Sequence, residues 1–422
     1  MIKTSKHFFN KQINKSKYIM YKDFYKECTN VANQILSFMW NNSITLNDKT
    51  LDIKNNQLDC PSFIPIEIYD QINIQTDLSA RAVKCISTQV CSVIKAVITK
   101  QKNRYKQLKI MQLAGKNTTY LEKKINETNY SMPHVNWKFE FNSICCDIKK
   151  VNGYFNAFLQ LKCLGKKYGQ IRIPIKFHRH SNKFKCWQMK ASFLLSENYL
   201  DIRWEKEEPE LKSEGEILGA DQGIKTVVTF SNNINTPIED KDGHSFDSII
   251  KKLSRKRKGS KNFKKVQEHR KNFINWSLNQ INFCNIKEVK LEKLKNVRKG
   301  QKTSRYLNHF SYPLIEKKLQ DKCLEEGVRF TLDSNVYFSQ RCHKCGWVQK
   351  SNRKSKQFKC KKCCNELDAD LNSAINHTLE LFELPFGIWK LKLNKTGFYW
   401  LEKGLYHENG EELTVLHVPR TE

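Results

Sequence analysis

The sequence predicts a multidomain α+β protein, and three observations carry that reading. The chain has 422 residues, more than one ordinary core accommodates, so about two to four domains are expected. Hydrophobic residues make up 39% of it, enough for each domain to bury a core. The texture also changes twice, from helical periodicity to short alternating segments near Pro133, and then, after the polar stretch EEPELKSEGE (207–216), to strands alternating with helices.

Residues 21–41 and 78–112 carry apolar side chains at helical spacing, the second turning basic in its last half. Residues 1–134 therefore read as a mainly helical domain. Residues 135–142, 154–163, 170–177, 189–196 and 199–206 alternate or are rich in β-formers, with turn signals such as Asn152-Gly153 between them. Evenly spaced short strands predict a small barrel or sandwich over 135–210. Further on, 216–221 and 224–231 read as two strands joined by a tight turn at Gly223. The basic run 251–275 leads into a helix ending near Cys284, 286–292 and 328–333 read as strands, and 312–327 as a helix stopped by Gly327. Strands and helices in alternation predict an α/β core.

Seventy-four Lys and Arg face 43 Asp and Glu, for a formal net charge of +31. A chain this basic calls for a polyanion, and release of condensed counterions makes nucleic acid the natural partner. The charge is clustered as well as large. Lys251, Lys252, Arg255, Lys256, Arg257, Lys258, Lys261, Lys264 and Lys265 are the expected phosphate contacts. The start, MIKTSKHFFNKQINKSKY, is polar and lacks the apolar core of a signal peptide. No run of about 18 uninterrupted apolar residues suggests a membrane partner. A cytoplasmic location follows as the expectation. Its reducing conditions argue against a disulfide framework for the 15 cysteines. Eleven of them, among them Cys28, Cys60, Cys85, Cys163 and the pair Cys145/Cys146, read as small buried apolar residues.

The other four make a pattern. Cys342-His-Lys-Cys345 is followed by Cys360-Lys-Lys-Cys363. Two such knuckles present four thiolates to one tetrahedral Zn2+. Four protein ligands leave no open position, so this zinc is expected to be structural. Cys364 is a competing ligand by position, and His343 lies inside the first knuckle.

Three acids stand out by context. Asp221 ends the apolar strand ILGAD, Glu292 ends VKLE, and Asp370 lies in LDADLNSAINH at the start of a helix after the second knuckle. Strand ends raise side chains at the rim of a sheet, where three acids from separate elements can meet. Clustered carboxylates suit hard divalent ions such as Mg2+, and a pair of such ions serves phosphodiester hydrolysis. Asp368 is either an assisting acid or a helix cap.

In order along the chain, GADQGIKTVVTFS (219–231), VKLEKLKNV (289–297), YFSQRCHKCG (337–346) and DADLNSAINH (368–377) resemble the motifs of the transposon-encoded TnpB nucleases and the related type V CRISPR effectors. The resemblance covers roughly residues 165–380. Gln222 departs from the aliphatic residue usual in the first motif, and Ser373 from the alanine common in the third. The resemblance implies a helical recognition domain over 1–134, whose first residues join a β-barrel wedge domain (135–210) or do not. It further implies an RNase H-like (RuvC) α/β domain in two parts, 211–336 and 367–385, with a zinc ribbon inserted at 337–366, and leaves 386–422 as a C-terminal extension. That extension is either an added hairpin or a cover for the core. The implied function is RNA-guided cleavage of DNA inside a prokaryotic cell, with Asp221, Glu292 and Asp370 holding two catalytic Mg2+ and Cys342, Cys345, Cys360 and Cys363 one Zn2+. The partners are a guide RNA, of CRISPR or transposon origin, and target DNA, bound by one copy or by a homodimer on one RNA. Arg341, beside the first knuckle, is expected to touch the substrate strand. Two other readings stand beside this one: an RNA-guided binder without cleavage, and a RuvC-fold nuclease or transposition factor that works without RNA.

Overall fold

A computed structural model describes residues 1–9, 12–46, 49–53, 57–59, 71–162, 164–165, 167–294, 304–333, 336–385 and 387–413. The chain forms two compact units, Met1–Glu207 and Glu208–Glu422, and both mix helices with several sheets.

The first unit begins with β1 (Ile2–Phe8) and α1 (Lys15–Asn41). Asn14 caps α1 by accepting from the Lys17 N–H. Tyr21, Phe24, Cys28, Val31, Ala32, Ile35, Leu36 and Met39 form its buried stripe. A small sheet of β2 (Ile44–Leu46), β3 (Lys49–Asp52) and β4 (Gln57–Leu58) follows. Then come α2 (Ala80–Leu113), capped by Ser79, and α3 (Thr119–Tyr130). By length and composition α2 could cross a membrane. Its apolar residues up to Ile98 instead join the same core as α1, and no residue after Gln101 is buried.

Six strands and a short helix complete the unit: β5 (Phe139–Phe141), β6 (Cys146–Lys150), β7 (Ala157–Leu161), β8 (Ile171–Ile175), α4 (Arg179–Asn182), β9 (Gln188–Leu195) and β10 (Tyr199–Glu205). Among the described residues the expected barrel is not detected. The described strands make two open antiparallel sheets, β1-β10-β9-β5 and β6-β7-β8. The physical reason lies in the helices. Phe139, Phe141, Phe193 and Ile173 find their cover in one core with α1 and α2, so the sheets have no apolar face left to close upon themselves. The N-terminal strand β1 pairs with β10 from Ile2↔Glu205 to Phe8↔Tyr199.

The second unit is built on β11 (Glu216–Gln222), β12 (Val228–Phe230), β13 (Ile286–Glu292) and β14 (Arg329–Asp333), with α5 (Phe246–Ser254), α6 (Lys261–Leu278) and α7 (Tyr312–Glu325) between them. The sheet order is β12-β11-β13-β14. β11 and β12 form a hairpin, while β11, β13 and β14 run parallel. Alternation divides the faces. Leu218, Ala220, Val289 and Leu291 bury against α5, α6 and α7. Gly219 and Asp221 point to the other face, where α8 (Ala369–Asn376) lies. The basic run forms two helices rather than one, broken at Gly259, whose φ is 85°. Ser260 restarts the second by accepting from the Phe263 N–H.

A short strand, β15 (Trp347–Val348), and then a three-stranded sheet of β16 (Arg353–Lys354), β17 (Gln357–Lys359) and β18 (Glu366–Asp368) precede α8 in the chain. Beyond α8, β19 (Phe398–Trp400) and β20 (Leu405–Tyr406) form a hairpin that pairs with β15. The C-terminal segment thus extends the ribbon. The other cysteines are not uniformly buried. Cys28, Cys145 and Cys146 are buried and Cys85 is half-buried, but Cys186, Cys284 and Cys364 are exposed. Cys60 and Cys163 lie outside the described residues.

Gly219 marks the closest approach of β11 to α8. A Cβ there would stand 1.8 Å from the Ala374 carbonyl oxygen and 2.9 Å from the His377 Cβ. Backbone cannot yield as a side chain tip can, so Gly219→Ala is expected to cost about 3 kcal/mol or more. In thermal unfolding that corresponds to a Tm lowered by roughly 6–12 °C for a unit of this size. An unchanged Tm would show that the strand and helix are not in contact.

Candidate active site

The parallel register brings two acids together. Ala220 pairs with Leu291, and the next residues on each strand are Asp221 and Glu292. Both stand at the carboxyl end of the sheet, the rim where open α/β sheets bind their ligands. Asp221 is 7% exposed and shares a hydrogen bond with Glu292. The Ser373 hydroxyl donates to Asp221 Oδ1 at 3.4 Å, and the Gln222 N–H donates to Glu292. Burial, and after it the charge of Glu292, push the Asp221 carboxyl well above the usual carboxylate range. Burial raises Glu292 as well, opposed by its hydrogen bond with Asp221 and by His377. Two buried carboxyls in contact hold a proton more readily than they hold two charges.

This has a consequence for the metal-free protein. A carboxyl raised by folding stabilises the fold at acid pH, and that stabilisation is lost as pH rises through the raised value. Removing one charge removes the loss. Asp221→Asn is therefore expected to raise the Tm in magnesium-free buffer at neutral pH while changing it little near pH ~4, the ordinary carboxylate range. Melting curves across that window check it. A variant that is less stable at neutral pH would contradict the coupling.

The third acid comes from α8. Asp368 caps this helix, its Oδ1 accepting from the N–H groups of Asp370 (2.8 Å) and Leu371 (3.2 Å). Asp370 is 4% exposed. Its Oδ1 lies 3.2 Å from Arg353 Nη2, and its Oδ2 is ion-paired with Lys356. The three acids line one cavity of about 840 Å3 together with Lys225, Arg353 and Lys356. Gly223 leaves room in this wall, since a Cβ there would meet the Thr226 carbonyl at 2.9 Å and Asp370 Oδ2 at 3.4 Å. The donor set is of the kind divalent magnesium takes: hard carboxylate oxygens only, two of them from acids whose charged forms burial disfavours, the third paired with cations of the chain.

The four cysteines predicted as ligands converge, their sulfurs within 4.8 Å of one another. Cys342 and Cys363 stand 3.6 Å apart, as do Cys345 and Cys360. This arrangement fits one structural zinc. Cys364 turns away with a φ of 60° and is exposed. His343 is not a member of the cluster; its Nδ1 meets Asn372 Oδ1 at 3.1 Å. The ribbon is tied to the acids through α8. Asn372 Nδ2 donates to the Arg341 carbonyl at 2.7 Å, and Asn376 Nδ2 to the carbonyls of Phe338 and Arg341. Asn372 and Asn376 are four residues apart on one helical face. That spacing in LNSAINH was the available signal for these two tethers. His377 is fully buried, stacked on Phe338 with Nδ1 3.4 Å from Asp333 Oδ2. Arg353 and Lys356, inside the basic ribbon, had no signal that singled them out.

Lys251, Lys252, Arg255, Arg257, Lys258, Lys261, Lys264 and Lys265 are exposed and Lys256 is half-buried, distributed over α5, the turn and α6. Lys251 is also paired with Asp247 at 2.7 Å. Arg341 corrects its expected role at the substrate strand. It is 4% exposed, and its guanidinium donates to the carbonyls of Trp400 and Cys342 and to Asn376 Oδ1. Burial lowers its pKa to about 10. With Nε and Nη1 turned inward to join the ribbon, α8 and the C-terminal hairpin, this guanidinium is a buried tether and not an exposed phosphate contact.

Residues 312–377, from α7 through the ribbon to α8, match the family model described as Cas12f1-like, TNB domain. A CRISPR-associated endodeoxyribonuclease Cas12f1 from Sulfoacidibacillus thermotolerans is 32% identical over 139 residues, covering 32% of this chain and 31% of that protein. A TnpB-like protein from Aquifex aeolicus (strain VF5) is 35% identical over 107 residues, covering 24% of this chain and 35% of its own length. The chain thus aligns with about a third of the length of these curated relatives. Among solved structures, the cryo-EM structure of CasPhi-2 (Cas12j) bound to crRNA and phosphorothioate-DNA matches at a TM-score of 0.53. It shows 10% identity and covers 90% of this chain and 91% of that one, a likeness of fold. In its TNB segment and in the stretches it shares with these curated proteins, the chain is similar to the TnpB/Cas12f-like type V CRISPR effector family.

Proposed function

We propose that the protein is an RNA-guided DNA endonuclease whose guide is a CRISPR or transposon-derived RNA. The observation that carries this reading is the carboxylate cleft: Asp221 and Glu292 in contact at adjacent strand ends, with Asp370 across the same cavity. Asp221, Glu292 and Asp370 would hold two magnesium ions, which supply an activated water and stabilise the departing 3′ oxygen when bound. Arg353 and Lys356, which pair with Asp370, line the same cavity and would be placed to meet a phosphate there. Ser373 orients Asp221 through its hydroxyl. The α5–α6 lysines and arginines follow the nucleic-acid backbone by charge, without reading bases. In this reading the first unit carries the guide and the duplex, and the β11–β14 sheet with α8 is an RNase H-like nuclease core. The named partners of the relatives, crRNA and DNA in the case of CasPhi-2, support the same assignment.

The test is to purify the protein from cells carrying its native flanking DNA and sequence the RNA that accompanies it. A discrete RNA with a constant scaffold and a variable end is expected. Repeats in the constant part identify a CRISPR guide, and a transposon-end sequence the TnpB type. Random cellular RNA, or none, would contradict guiding and favour a nuclease that acts alone.

A further inference from the structure

Away from the carboxylate cleft and the ribbon, a third set of metal-ligating side chains converges on the face of α6. Asp240 and His244 occupy a turn closed by the bridge Glu239↔Ser245, with Gly243 at a φ of 72°. His269 reaches the turn from the middle of α6. The two imidazoles meet edge-on, their centroids 4.8 Å apart and their planes at 88°. His244 Nδ1 lies 3.4 Å from Asp240 Oδ1. One ligand atom from each of the three residues falls within 4.8 Å of the other two.

We propose that Asp240, His244 and His269 form a third metal site, distinct from the ribbon and the cleft, which takes one zinc-class divalent transition ion. Three features favour a ligand over simple ring packing. The first is the donor set itself: two imidazoles and one carboxylate are characteristic zinc donors and poor ones for magnesium. The second is an unmet need. The ring of His244 is half exposed, yet its Nδ1 is buried, and what it faces is the Asp240 carboxylate at 3.4 Å, with no well-formed hydrogen bond. The third is preparation of the carboxylate. Asp240 Oδ1 accepts from the N–H groups of Asp242 and His244, both at 2.9 Å, the kind of outer support that fixes a metal ligand. Asp242 adds a second negative charge near His269, and Lys252 a positive one. Tetrahedral zinc with bonds of about 2.0–2.1 Å sets its ligand atoms roughly 3.3 Å apart, so side-chain rotation is enough to close the set. A fourth position stays open to water.

The ion would have a mechanical role. The segment that carries Asn233, Asn235, Glu239 and Ser245 walls a cavity of about 520 Å3 whose far side is Lys356 and Asp370. Metal bonds from the turn to α6 would pin that wall beside the acids, where a side-chain stack alone leaves it hinged. The site does not depend on the nuclease reading, and its failure would leave that reading intact.

Zinc is counted by mass spectrometry in the full-length wild type and in His269→Gln, both dialysed against micromolar free zinc. The wild type is expected to hold one more zinc per chain than the variant. Cobalt(II) loading supplies the fold control, since the thiolate charge-transfer band belongs to the ribbon alone. In the variant that band is retained while the weaker visible bands of the nitrogen–oxygen site are lost. Equal zinc in the two proteins would overturn the proposal. So would a wild type whose cobalt spectrum contains the thiolate site only. Asp240→Asn, which keeps the size of the turn, is expected to behave as His269→Gln does, and retention of the extra zinc there would likewise count against it.

Discussion

Asp221→Ala is expected to abolish DNA cleavage, by more than about 10³-fold, and to leave RNA binding unchanged. A single hydrogen-bond donor at a reacting centre supplies roughly 10²–10³, and Asp221 is a proposed ligand to the metals themselves. The separation of the two effects follows from the fold. Asp221 lies in the second unit on the face of β11 toward α8, its side chain touching Ser373 and Glu292. Truncating it removes a buried acid whose charge is costly without metal, so the core should not suffer. Cleavage rates with saturating magnesium, measured beside RNA retention, test both halves. Cleavage within tenfold of wild type would remove the acid from the mechanism.

Cys360→Ser is expected to be nearly as damaging by a different route. Structural zinc contributes about 10–16 kcal/mol to the folding of small zinc modules, and the ribbon has little else. Its own buried core is Cys342, Trp347, Phe358, Cys360 and Ala369. Losing one ligand should release the hairpin β16–β17, and with it Arg353 and Lys356 from Asp370. Asn372 and Asn376 would lose the Arg341 carbonyl, so α8 would no longer be held against the sheet at Gly219. The expected outcome is loss of the thiolate–cobalt band together with loss of cleavage, while the first unit keeps its melting transition. Full cleavage by a variant without that band would mean that the ribbon does not position Asp370.

Much of this was legible because the relevant signals are local. The strand at 286–292 occurs where the sequence puts it, with Ile286, Val289 and Leu291 as its buried residues. Paired CxxC knuckles carry their own geometry, and the four sulfurs do converge. Asp221 and Glu292 could be ranked above other acids because each ends an apolar strand. Features made by tertiary packing were not legible. CDIKK (146–150) is polar enough to hide a strand that exists through its pairing with β7. The barrel expectation failed because no local pattern says that α1 and α2 will cover the sheets. Arg341 looked like a basic residue beside a knuckle, and nothing nearby in sequence announces Trp400 and Asn376 as its partners. His269 is 25 residues from His244, with a helix and a turn between them, so no spacing rule could link them.

The most direct test of the central claim is to load the purified protein with the RNA that accompanies it and offer DNA duplexes matched or mismatched to that RNA's variable end. The account predicts cutting of the matched duplex alone, dependent on magnesium and lost with Asp221→Ala. Retention of the matched duplex without cutting, or cutting indifferent to the RNA, would contradict it.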